Sequence, residues 1–125
     1  MTENELSYTI RGCIFNVYNN LGPGLLESAY EAALTYELRK KGLTIARQVP
    51  IPMIYEDIRL DVGYRLDMLV ENKIIIEIKS VDVLLSVRHK QIITYLKLSK
   101  LKLGLLVNFN CDNISESIFR KVNGL

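Results

Sequence analysis

Asp67, and ten residues later Glu77-Ile78-Lys79 at the end of the apolar run Ile74-Ile75-Ile76, are the residues whose types and spacing could do chemistry. On a strand, side chains at i and i+2 point to one face, so Glu77 and Lys79 project together while Ile74, Ile76 and Ile78 fill the other. Two carboxylates and an ammonium that converge can hold a divalent cation, activate a water and oppose charge developing on a phosphoryl oxygen. That is the composition of a metal-dependent phosphodiester-cleaving site. Glu-x-Lys also occurs on solvated strands, where the two charges form a weak ion pair. The register with Asp67 therefore matters.

Leu66 to Val70 and Ile74 to Lys79 read as strands, with Glu71-Asn72-Lys73 as the turn of a hairpin. Antiparallel pairing centred on Asn72 makes opposed residue numbers sum to 144 and sets Asp67 across from Glu77. The two carboxylates then share a face at a Cβ separation of about 4.5–5.5 Å. A two-residue loop would put them on opposite faces. A structure pairing Asp67 with Ile78 would remove the site.

The elements that must position these groups follow from periodicity. Leu6, Ile10, Cys13, Ile14, Val17 and Tyr18 recur at helical spacing from Glu5 to Asn20, and Asn19 to Gly24 ends the pattern. A second helix is expected from about Leu25 to Lys41, with cationic residues in its last turn and Gly42 placed to cap it. Three strands follow, over Ile45 to Tyr55, Ile58 to Val70 and Lys73 to Val81, with Glu56-Asp57 as the first turn and the third strand the most buried. Pro50 and Pro52 confine the first strand to an edge or bulge it. A helix from about Ser86 to Leu98, a strand from Leu103 to Phe109 and a short helix over Ile114 to Val122 complete the chain. The order ααβββαβα predicts an α/β fold, a mixed β-sheet flanked by α-helices.

At 125 residues the chain is expected to form a single domain over 1–125, large enough for a real core. Sixteen Lys and Arg against fourteen Asp and Glu leave a net charge of +2, so no overall field announces a nucleic-acid partner. Arg88, His89, Lys90, Lys97, Lys100 and Lys102 nevertheless cluster in one segment, as either a phosphate-binding surface or a solvated helix face. The lone histidine, His89, reads as a surface residue. Cys13 and Cys111 have no zinc-site spacing and are expected to be reduced. The opening residues lack the blocks of a signal peptide and no apolar run spans a bilayer, so no membrane is implied and a cytoplasmic location is expected.

Two further groups have types suited to a site. Glu27 lies near the start of the second helix with Tyr30 one turn along; a first-turn acid and an apolar-stripe tyrosine are also ordinary helix features. Gln91 and Tyr95 lie four apart on one helical face, able to reach a cleft or to face solvent. The succession Gly24-x-x-Glu27-x-x-Tyr30, Tyr64-Arg65-Leu66-Asp67, Ile76-Glu77-Ile78-Lys79-Ser80, Gln91-x-x-x-Tyr95-Leu96 and Gly104 to Phe109 resembles the GxxExxY family of the PD-(D/E)XK nuclease-like superfamily. The resemblance runs from about Leu21 to Val122 with the motifs in order. It implies a restriction-endonuclease-like fold in which Asp67 and Glu77 hold Mg²⁺ (or Mn²⁺) and Lys79 positions or polarises the attacking water. Glu27 resembles an extra helix-borne acid that completes the metal ligands. Gln91 and Tyr95 match the Gln-x-x-x-Tyr element of an exonuclease branch, where they support the site, and Tyr30 is the last residue of the Gly-x-x-Glu-x-x-Tyr motif. No proline precedes Asp67; its neighbour is Leu66.

The resulting expectation is a Mg²⁺-dependent nuclease acting on DNA, with a homodimer supplying further contact surface. The alternatives are a nuclease-like fold that binds nucleic acid or protein with little turnover, and a structural ion cluster.

Overall fold

A computed structural model describes all residues, Met1–Leu125. Helix α1 (Glu3–Leu21) starts at a capping box. The Glu5 N–H donates to Thr2 Oγ1 at 3.2 Å and the Thr2 N–H to Glu5 Oε1 at 3.1 Å, satisfying amides that the first helical turn leaves unpaired. Helix α2 (Glu27–Lys40) follows a Gly-Pro-Gly turn and ends in Arg39 and Lys40. Their stripes, Leu6, Ile10, Ile14, Tyr30, Leu34 and Leu38, are fully buried on one face of the sheet.

The main sheet contains β1 (Ile45–Pro50), β4 (Arg65–Val70), β5 (Ile74–Lys79), β6 (Leu103–Asn108) and β7 (Ile118–Val122), adjacent in that order. Only β5 and β6 are parallel. A parallel pair needs a crossover, and α3 (Ser86–Ser99) provides it on the face opposite α1 and α2. There Ile92, Tyr95 and Leu96 pack on Leu66, Ile75 and Leu106. Close approach of α3 uses Gly104, where a Cβ would lie 2.9 Å from Ile92 Cδ1. The result is the expected mixed sheet flanked by helices, with β1 at an edge as its proline requires.

Three elements differ from expectation. The two long strands are interrupted at Ile51-Pro52 and over Asp61 to Tyr64, and the residues between form a separate ribbon, β2 (Met53–Tyr55) and β3 (Ile58–Leu60). Pro50 and Pro52 cannot donate to a ladder, Gly63 takes φ 74°, and a single bond from the Ile51 N–H to the Tyr64 carbonyl closes the base of the ribbon. The expected last helix is a single 3-10 turn, Ile114–Glu116, capped by Asn113, followed by β7. Ile114, Ile118 and Val122 fit a helical period, but Ile118–Val122 pairs with β6 and satisfies an edge that a helix would leave open. That pairing encloses β6, whose six residues are all buried, while of the three strands expected ahead of α3 the third, β5, is the most buried, with five of six.

Candidate active site

The β4–β5 hairpin pairs Val70 with Ile74, Leu69 with Ile75 and Met68 with Ile76, each sum being 144 as expected. At the next rung the strands part. The Asp67 N–H donates to Glu77 Oε2 and the Ile78 N–H donates to Asp67 Oδ2, both at 2.8 Å. Each carboxylate thus takes a backbone amide of the other strand, and the two acids interlock across the gap.

The distortion extends to β1. Its pairs with β4 sum to 115, which sets Gln48 opposite Asp67, and Gln48 has φ 51°, a strained value for a residue with a Cβ. Alternation slips here too: Leu66 packs on the α3 side, Met68 and Val70 on the α1–α2 side. Asp67 consequently faces a polar cavity of about 310 Å³ against α2, shared with Glu27, Ser28, Glu31, Gln48 and Ile78. Glu27 is exposed in the first turn of α2 and makes no salt bridge. Glu31, one turn on, is buried; Arg47, 2.8 Å away, offsets its charge, and the Gln48 amide donates to its other oxygen at the same distance.

Tyr30 does not enter this cavity. Its ring is fully buried and stacked on Phe109 with centroids 4.3 Å apart, and its hydroxyl donates to the Gly22 carbonyl at 2.6 Å while accepting the Leu25 N–H at 3.1 Å. Ser80, just past Lys79, donates to the Leu25 carbonyl at 2.6 Å. The turn that starts α2, and so the height of Glu27, is therefore tied to the core and to the end of β5. Tyr30→Phe keeps the stacking but strips both bonds, and urea denaturation is expected to show a loss of about 1–3 kcal/mol. An unchanged midpoint would mean that the turn holds itself.

Glu77 is buried, and burial together with the adjacent Asp67 carboxylate pushes its pKa from the ordinary 4.5 up to about 8. Lys79 is half-buried and forms no salt bridge; the two in the chain are Lys40–Glu37 and Arg47–Glu31. Opposite Lys79 on β6, Asn108 brackets the next segment, donating to the Val81 carbonyl at 2.9 Å and accepting its N–H at 3.1 Å.

Gln91 and Tyr95 line a different concavity, between α3 and the β2–β3 ribbon. Tyr95 is buried, and burial, followed by the charge of Glu77, holds its phenol above the usual value. His89 packs edge-on against Phe119 at 4.7 Å, outside both concavities.

Asp67 and Glu77 are thus brought together, Glu27 joins Asp67 in the cavity, and Gln91 and Tyr95 stand on the α3 face. No three acids, histidines or cysteines gather closely enough to hold an ion as they stand. Glu31 and Gln48 were not anticipated, and Ser80 and Asn108, although inside the motif stretches, were given no role. Glu31 could have been suspected from its place one turn after Glu27, whereas the others act through tertiary contacts.

No helix is long and apolar enough to cross a membrane. No curated protein and no solved structure matches the chain. A sequence model of the PD-(D/E)XK nuclease superfamily matches residues 4–121, which takes in both carboxylates and the lysine and covers α1 to β7 but for one residue at each end. The acids interlocked across a split hairpin, with a lysine two residues on, belong to a chain that is a member of the PD-(D/E)XK nuclease superfamily.

Proposed function

We propose that the chain is a nuclease of the GxxExxY branch that hydrolyses phosphodiester bonds of DNA with Mg²⁺ (or Mn²⁺). The observation that carries this reading is the reciprocal clamp of Asp67 and Glu77, with Lys79 free of any ion pair beside it. The donor set suits a hard cation because it offers only oxygen, and the amides occupy Asp67 Oδ2 and Glu77 Oε2, leaving Oδ1 and Oε1 for a ligand. Burial, and then the adjacent Asp67 carboxylate, raise the pKa of Glu77 to about 8, and a bound cation would favour its ionised form.

On this reading Asp67 and Glu77 hold the ion, and Glu27 completes the set once its exposed side chain swings toward Asp67. When bound, the cation lowers the pKa of a coordinated water and offsets charge on the phosphate. Lys79 orients that water and opposes charge on the phosphoryl oxygens. Tyr30 and Ser80 fix the height of Glu27, and Gln91 and Tyr95 wall the opposite approach. A homodimer would enlarge the contact surface of so small a chain, which light scattering reads directly.

The separation of the third acid favours a second reading, a nucleic-acid or protein binding module with little turnover. Labelled linear, nicked and branched DNA incubated with Mg²⁺ or Mn²⁺ separates the two. Cleavage that EDTA abolishes supports the nuclease, and binding without cleavage on any of these substrates supports the module.

A further inference from the structure

The slot between α3 and the ribbon has a volume of about 280 Å³, and its walls are chiefly Met53, Tyr64, Tyr95 and Leu98, with Lys90 and Gln91 as its polar edge. The Tyr64 and Tyr95 rings stand 6.1 Å apart at 53°, so they form two walls and do not cover each other. Tyr64 remains 43% exposed, which leaves a ring face free for a ligand. Apolar faces with one amide edge suit a flat heteroaromatic ring: Gln91 can both donate and accept, and Arg88, 3.5 Å away, donates to its Oε1. Lys90 and Arg88 place cationic charge on the same rim, the sign that a polyphosphate backbone requires.

We propose that this slot is a subsite for an unpaired nucleobase, which makes single-stranded nucleic acid, or a frayed duplex end, the substrate class of the site. The proposal rests on the nuclease reading, since the base belongs to the strand whose phosphate meets Asp67 and Glu77. Tyr64 sits just ahead of β4 and three residues before Asp67, a stretch of chain that spans at most about 10 Å, so the base lies close to the scissile bond. A paired base cannot enter, because its faces are taken by its neighbours in the stack and only its edges reach a groove.

Fluorescence anisotropy in EDTA at low salt tests this with a labelled single-stranded oligonucleotide, the matching blunt duplex, and single strands in which one abasic nucleotide is walked along the chain. Two variants avoid the proposed metal and water-positioning residues: Tyr64→Ala removes a wall, and Thr94→Trp fills the slot from an exposed position on α3. Wild type is expected to prefer the single strand and to lose affinity at one abasic position. Both variants should weaken single-strand binding by about tenfold or more, the usual effect of losing a base stack, and leave duplex binding unchanged. Unchanged single-strand affinity in both variants, or a flat abasic scan, would overturn the subsite. So would a change of oligomeric state in Thr94→Trp by light scattering, which would make the slot a seat for a second copy. Binding in EDTA is independent of cleavage, so a failure of the metal chemistry leaves the abasic scan readable, and a flat scan leaves cleavage intact.

Discussion

Glu77→Gln is expected to lower metal-dependent DNA cleavage by about 10²–10³-fold or more while the protein remains folded, and Lys79→Met to do the same. Glutamine is nearly isosteric and keeps a carbonyl oxygen to accept the Asp67 N–H, so the interlock across the split survives and only the capacity of Glu77 to ionise is lost. The ionised form is what a cation would need. Methionine keeps most of the aliphatic stem of Lys79, and since the lysine makes no salt bridge, its removal leaves no partner unpaired. The two losses should not add: if both groups act on one transition state, the double variant is expected to fall little below either single one. Single-turnover cleavage with matched circular-dichroism melts measures this. Cleavage at the wild-type rate in both single variants would remove Glu77 and Lys79 from the chemistry.

The legible part of the site was the part set by local pattern. A three-residue turn centred on Asn72 fixes the register of one hairpin, and the pairs Met68–Ile76, Leu69–Ile75 and Val70–Ile74 follow from it. The splitting of the strands beyond Met68 was not legible. It depends on carboxylates replacing ladder acceptors and on the positive φ of Gln48 in a strand twenty residues away, and neither has a periodic signature. Tyr30 shows the same limit differently. The spacing put it on an apolar stripe, and it is indeed buried, but only the tertiary structure brings its hydroxyl to Gly22 and Leu25. The last segment was misread because Ile114, Ile118 and Val122 satisfy a helical period, whereas the open edge of β6, which takes Ile118–Val122 as a partner, has no signature in that segment. The ribbon was hidden for a related reason: prolines showed that a strand was interrupted, but not where the chain went next.

Metal and pH should act on stability through the same carboxylate pair. Glu77 has an ordinary pKa of 4.5 and about 8 in the fold, so between these values the native state binds more protons than the unfolded chain. The stability linked to this proton is fully present below about pH 4.5, declines as pH rises and is lost above about pH 8. The metal-free protein should accordingly melt at a lower temperature at pH 8.5 than at pH 6, and Glu77→Gln, which carries no titrating proton, should flatten that slope. A divalent cation must displace the proton, so its affinity should climb with pH to about 8 and its binding should release acid. At about 100 times its dissociation constant, Mn²⁺ would contribute about 2.7 kcal/mol, a rise of about 10 °C in melting temperature for a chain of this size. That rise should be largest above pH 8, smaller at pH 6, and absent in Asp67→Asn with Glu77→Gln. Differential scanning fluorimetry across pH with and without Mn²⁺ reads all of these. A metal shift that survives in the double variant would place the ion elsewhere, and a flat metal-free profile in the wild type would mean that Glu77 is ionised in the fold without any cation.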